Sequence, residues 1–337
     1  MRLEKDVIMA KTAQKIIIDT DPGIDDAMAI HQAFADPRLE VLGLTTIFGN
    51  VATPMATRNA LRLVEMAAYP AAVAHGAEAP LVREVAPPAD FVHGAEGFGT
   101  VPPAEPQGRA DARSAAVFIA ETAAAHPGEV IICAVGPLTN LALALDHDPD
   151  LVRNVQSVVV MGGSIAWHGN VSDCAEANIW GDPDAADAVF AADWDVSMVG
   201  LDVTEKSRCE PADFEAIAES APCIGGFLNE AVDFYFDFHL PKTEYRCCFM
   251  HDPSAIMAIT NPGFFAFEEM PLEVVTFGKE MGRTRVYEGQ DRRNVKAAMG
   301  VRPDVVRQKF VEILSTADAQ AAGRVADKRN NDRGDAT

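Results

Sequence analysis

The chain has 337 residues, 48% hydrophobic and 23% charged, with 50 Asp plus Glu against 28 Lys plus Arg and a formal charge of −22. That apolar content suits one large α/β domain or two small ones and excludes bulk disorder. The negative charge, unbroken by any basic stripe, repels polyanions and excludes a nucleic-acid polymer as partner.

No apolar run reaches the ~18 to 20 residues of a membrane span, so no membrane partner is expected. Six cysteines without a C-x-x-C pair point to neither zinc nor a disulfide frame. Residues 1–14 lack the apolar core of a signal peptide, so they are read as a short N-terminal extension of a cytoplasmic protein, with Met9 as an alternative start.

Along the chain, apolar runs of strand length (15–20, 39–48, 71–75, 130–135, 155–161, 196–200) alternate with segments of helical period (26–35, 54–68, 110–125, 138–145, 183–191). This βαβα order, with near-continuous Val runs such as 155–160, predicts a single α/β domain with a mostly parallel central sheet between helix layers. The Pro/Gly-rich stretch 80–107 is expected to be a long surface loop. A helix over 210–239, a short helix over 252–260, late strands at 272–277 and 294–299 and a helix over 303–314 complete the domain, bounded at 15–316. Residues 317–337 carry no apolar stripe and are expected to fray as a disordered tail.

Four aspartates fall within Asp19-Thr20-Asp21-Pro22-Gly23-Ile24-Asp25-Asp26, directly after Ile16-Ile17-Ile18. The Pro-Gly step turns the chain sharply, so a strand delivers converging carboxylates to a helix start. A helix N-terminus offsets only a few tenths to about 1 kcal/mol per acid, and a hard divalent cation is the natural remaining partner. The EF-hand alternative fails, because no Glu stands at the twelfth position and the upstream segment is strand-like. Other polar groups also follow strand ends, where ligands of parallel sheets bind. They are Asn50 in Phe48-Gly49-Asn50, then Asn170, Glu176 and Asn178 after Met161-Gly162-Gly163; His93 and His251-Asp252-Pro253 complete the set.

Together these motifs, with Val135-Gly-Pro-Leu-Thr-Asn140 and Ala175-Glu-Ala-Asn178, resemble the inosine-uridine-preferring nucleoside hydrolases from about residue 15 to 314. The resemblance implies a Ca²⁺ site of Asp21, Asp26, the main-chain oxygen of Val135 and Asp252. It also implies Asp21 as general base toward a calcium-activated water, oriented by Asn50. Asp25, Asn170, Glu176 and Asn178 would hold the ribose, His251 would protonate the departing base, and His93 would lie near that base. Direct attack by water implies inversion at the anomeric carbon. The implied partner is a small-molecule ribonucleoside, and the family tends to homodimers or homotetramers.

Val135 stands where some members carry Thr, and Ala177 where Phe is common, which alters packing around the sugar. Base contacts are expected from the loops 80–107 and 231–245, and Tyr235, His239, Tyr245 and Arg246 are candidates without assigned roles. Two other readings compete: a haloacid dehalogenase-type phosphatase with Asp19 as nucleophile, and a non-catalytic nucleoside or ribose binder. The first needs a downstream Lys and acidic pair that are not evident, and the second is usually an exported protein.

Overall fold

The computed structural model describes residues 13–334; most of the N-terminal extension, residues 1–12, lies outside them. Eleven strands form: β1 (Gln14–Thr20), β2 (Leu39–Thr46), β3 (Ala72–Ala74), β4 (Val130–Ala134), β5 (Val155–Met161), β6 (Val196–Val199), β7 (Arg208–Cys209), β8 (Cys248–Phe249), β9 (Phe265–Val274), β10 (Thr284–Val286) and β11 (Asn294–Val301). Nine make one sheet in the order β10-β9-β11-β6-β5-β4-β1-β2-β3. It is parallel from β3 through β11, with β9 and β10 added antiparallel at one edge. β7 and β8 pair separately.

The two-residue side-chain period of a strand sorts the core into two layers. On β1, Ile16 and Ile18 pack into one layer with Met28 and Phe227, while Ile17 joins the other with Phe118 and Phe190. β4 repeats this, with Ile131 and Cys133 on the first face and Ile132 on the second. Both faces are covered, which is why these strands read as unbroken apolar runs. The sheet therefore forms a single α/β domain, as the sequence predicts. No helix among the described residues is long and apolar enough to cross a membrane.

Topology positions the site. From β1 the chain winds to β2 and β3 on one side, then returns to β4 on the other, so the strand order reverses between β1 and β4. Such a switch point opens a crevice at the carboxyl ends of the two strands. Asp19–Asp26 leaves one of those ends and Val135 the other.

Three expectations need correction. The helix expected over 210–239 is two helices, Pro211–Ser220 and Ile224–His239. Pro222 lacks an amide proton and drives Ala221 to φ −132, ψ 75, which ends the first helix. The late strand β9 begins at Phe265, seven residues before the expected start, because pairing with β11 organises its half-exposed first part. The segment expected as a frayed tail is a helix over Ala317–Gly334. Polar anchors dock it: Asp318 accepts from the amides of Cys223 (2.7 Å) and Ile224 (2.9 Å), and Arg324 donates to the carbonyls of Phe34 and Ala67, both at 3.0 Å.

Candidate active site

At the end of β1 the chain turns through Pro22-Gly23 into the helix Ile24–Ala35, whose N-cap is the extended Gly23. Glycine has no capping side chain, and Asp26 reaches back instead, accepting from the Gly23 amide at 2.9 Å. Asp26 also accepts from the Asp21 amide (3.2 Å), the Asn50 side-chain amide (2.9 Å) and the Thr20 hydroxyl. Asp21 is held by one oxygen: its Oδ2 accepts from the Asn50 backbone amide at 2.6 Å, and its buried Oδ1 has no partner. Two glycines make room for it. A Cβ at Gly136 would lie 2.7 Å from Asp21 Oδ1, and one at Gly49, whose φ is +154, would run into Oδ2.

Asp19, the nucleophile of the phosphatase reading, is fully buried, and its Oδ1 accepts from Thr45 and from Asn140 (2.8 Å). Burial pushes its carboxyl up to about 7. Nothing in this arrangement presents Asp19 to a substrate.

Beside the cluster opens a cavity of about 480 Å³. Its walls include all the predicted site residues except Asp21 and Asp26, namely Asp25, Asn50, His93, Val135, Asn170, Glu176, Asn178, His251 and Asp252. Asn50 ties the two missing carboxylates to the wall through the bonds above. Carboxylate oxygens of Asp25, Asp26 and Asp252 all lie within 4.8 Å of one another. That trio contains Asp25 where the sequence expectation placed Asp21. Burial first, and repulsion from Asp26 second, push Asp25 up to about 8. Asp21 and Asp252 move up for the same two reasons, burial and neighbouring carboxylates.

Like charges so crowded call for a cation, and the bare Oδ1 atoms of Asp21 and Asp25 are unused ligands. The donor set is all oxygen, which fits a hard divalent ion. The Val135 carbonyl accepts from Asn178 Nδ2 at 3.0 Å and keeps a second lone pair.

Backbone hydrogen bonds fix Glu176, Asn178 and Asn170. Glu176 caps the short helix Ala177–Gly181, accepting from the amides of Asn178 (2.9 Å), Ile179 (3.1 Å) and Gly163 (2.9 Å). Asn178 Nδ2 bridges the carbonyls of Val135 and Met161, each at 3.0 Å, and Asn170 Oδ1 accepts from the Ala177 amide at 2.9 Å.

Three histidines face the cavity, each set by one bond. His93 Nδ1 accepts from the Ile24 amide at 3.2 Å, satisfying an orphan donor of the helix start. That nitrogen is bare in this state, so its 3.8 Å approach to Asp25 Oδ1 is no hydrogen bond. His251 Nδ1 shares a hydrogen bond of 2.8 Å with Thr204 Oγ1. His239 Nδ1 meets the Tyr235 carbonyl at 2.9 Å. Burial pulls His93 and His251 down to about 3 and His239 to about 4.

Of the candidate base contacts, Tyr235 and His239 line the cavity. Tyr235 donates to Asp25 Oδ2 at 3.2 Å and stacks on His93. Tyr245 and Arg246 stand outside its walls: Tyr245 is exposed, and Arg246 pairs with Asp233 and Asp237. Glu205 and Lys242 also line the cavity and have no role in the sequence reading. Glu205 follows the Leu201-Asp202 strand end, a position that could have flagged it.

Comparison with known proteins places the chain in a family. The family model described as inosine-uridine preferring nucleoside hydrolase matches residues 16–309. Uridine nucleosidase 1 of Arabidopsis thaliana is 42% identical over 282 residues, covering 83% of this chain and 84% of that protein. A plant nucleoside hydrolase, the PpNRh1 enzyme, superposes with TM-score 0.86 at 36% identity, over 90% of this chain and 99% of its own. A purine-preferring ribonucleoside hydrolase from Gardnerella vaginalis also gives TM-score 0.86, at 29% identity and the same coverage. The chain belongs to the inosine-uridine preferring nucleoside hydrolase family, enzymes that hydrolyse N-glycosyl bonds of ribonucleosides.

Proposed function

We propose that this enzyme cleaves ribonucleosides to ribose and free base in a single displacement by water, with inversion at the anomeric carbon and Ca²⁺ as its resident ion. The carrying observation is the buried Asp25–Asp26–Asp252 cluster, its oxygens within 4.8 Å, beside a cavity lined by the sugar-side residues. Asp21, Asp26, the Val135 carbonyl and Asp252 would hold the ion, which when bound neutralises the carboxylates and makes nearby water more acidic.

Asp21 is built to accept the proton of the attacking water, because Asn50 fixes Oδ2 and leaves Oδ1 bare. Asp25 accepts from a ribose hydroxyl through Oδ1, since Tyr235 occupies Oδ2. Asn170, Glu176 and Asn178 grip the remaining sugar oxygens, and their backbone bonds pre-organise them. Positive charge developing on the sugar is stabilised by the carboxylate field. His251, next to Asp252 and anchored on Thr204, passes a proton to the departing base.

The identity to uridine nucleosidase 1 puts uridine first among substrates to assay. The resemblance supports a cytoplasmic homodimer or homotetramer acting in nucleoside catabolism and base salvage. A panel of ribonucleosides assayed for free base, with the anomer of released ribose followed by NMR, tests the reading. Initial release of the retained anomer would overturn the single displacement, and no base release from any member would overturn the hydrolysis.

A further inference from the structure

One end of the cavity is lined by His239, His251, Phe238 and Phe249. His239 Nδ1 faces the Tyr235 carbonyl, which has only lone pairs, so the ring proton sits on Nδ1 and Nε2 is a bare acceptor. Burial keeps this ring neutral. A departing base carries the electron pair of the broken bond, and a neutral His239 stabilises that charge weakly.

Lys242, three residues after His239, is the one Lys or Arg among the described residues lining the cavity. Its Nζ lies 4.1 Å from the centroid of the Phe238 ring. Among the described residues it makes no hydrogen bond or ion pair, whereas Arg246, Arg292 and Arg293 are each paired with carboxylates. Burial lowers the ammonium from its ordinary range while Glu205, also on the cavity wall, raises it. A cation without a partner, facing a cavity in a chain of charge −22, is placed for a ligand.

We propose that Lys242 donates to the exocyclic oxygen of the departing base while His239 Nε2 accepts from the adjacent ring N–H, so that the pair reads a –CO–NH– edge. Uracil and hypoxanthine present this edge. Cytosine and adenine present an amino group beside a bare ring nitrogen, which would set donor against donor and acceptor against acceptor. As the bond from the anomeric carbon to the base nitrogen breaks, its electron pair stays on the base and spreads onto the exocyclic oxygen. The Lys242 contact therefore strengthens toward the transition state. This inference rests on the hydrolase reading above.

The test compares inosine with adenosine and uridine with cytidine in wild type, Lys242→Met and Lys242→Arg. Lys242 is exposed, so Lys242→Met should keep the fold, and melting curves check this. Loss of a hydrogen bond from a charged donor should cut kcat/KM for inosine and uridine by about 10- to 100-fold. Adenosine and cytidine should change by less than about 3-fold on the same grounds, and Lys242→Arg should restore most of the loss. Equal loss on all four nucleosides, or no loss on any, would overturn the assignment. Calorimetry of hypoxanthine and adenine binding gives a readout without turnover: only hypoxanthine should weaken in Lys242→Met. If wild type released no base at all, the hydrolase reading would fall, and base binding would still decide the role of Lys242.

Discussion

The Asn178 side-chain amide donates to the main-chain oxygen of Val135 at 3.0 Å, joining a residue proposed to contact the ribose to a carbonyl proposed as a metal ligand. The same Nδ2 reaches the Met161 carbonyl, so this one group spans the ends of β4 and β5. The proposed sugar grip and the proposed metal site therefore share a joint.

Asn178→Asp replaces that donor with an acceptor aimed at two carbonyls. Leaving the buried groups unpaired should destabilise the protein by about 1–3 kcal/mol in denaturant unfolding, and turnover should fall with it. Unchanged stability would show that the joint carries no strain when reversed.

Removing the ion should abolish turnover, because Asp21, Asp26 and Asp252 would otherwise face one another unneutralised. It should also lower Tm, since an ion at 100-fold over its Kd adds about 2.7 kcal/mol to stability. Full activity after exhaustive chelation, with the metal shown absent by elemental analysis, would contradict the Ca²⁺ assignment.

Asp25 Oδ1 has no protein partner, and in the proposed reaction a ribose hydroxyl would complete it. A 2′-deoxynucleoside leaves it unpaired, and discrimination on the order of 10⁴ is attainable at a site built around a hydroxyl. A 5′-phosphate should be repelled by Glu176 and the cleft carboxylates. Similar kcat/KM for uridine, deoxyuridine and uridine monophosphate would refute the sugar-side roles.

His251→Ala should lower kcat on inosine by about 10²–10⁴, the range for loss of a general acid. The p-nitrophenyl riboside, whose leaving group departs as a stable anion, should suffer far less. Asp21→Asn should damage both reactions, because water must be activated in each. Equal losses for His251→Ala on the two substrates, with the ion still bound, would remove it as proton donor.

Gly136→Ala places a methyl 2.7 Å from both Asp21 Oδ1 and an Ile47 methyl. Neither neighbour can retreat far, so we expect overpacking of about 1–3 kcal/mol and loss of kcat without a comparable rise in KM. A variant with wild-type kcat would show that Asp21 tolerates displacement and is not the base.

By itself the sequence determined the local frame. Ile16–Ile18 alternate between two apolar layers, Pro22-Gly23 turns the chain, and the aspartates follow at fixed spacing, all through interactions within a dozen residues. The order of strand ends was legible for the same reason, and it brought Asn50, Val135 and Asn178 toward one crevice. Long-range contacts decided the rest. Lys242 carries no local signal of function, and only folding brings it to the wall that His251 lines. The helix Ala317–Gly334 has no apolar stripe to read, because Asp318 and Arg324 dock it by satisfying orphan backbone groups at the ends of other helices. Such anchors depend on where distant carbonyls and amides finally lie, a property of the assembled fold and not of any segment within it.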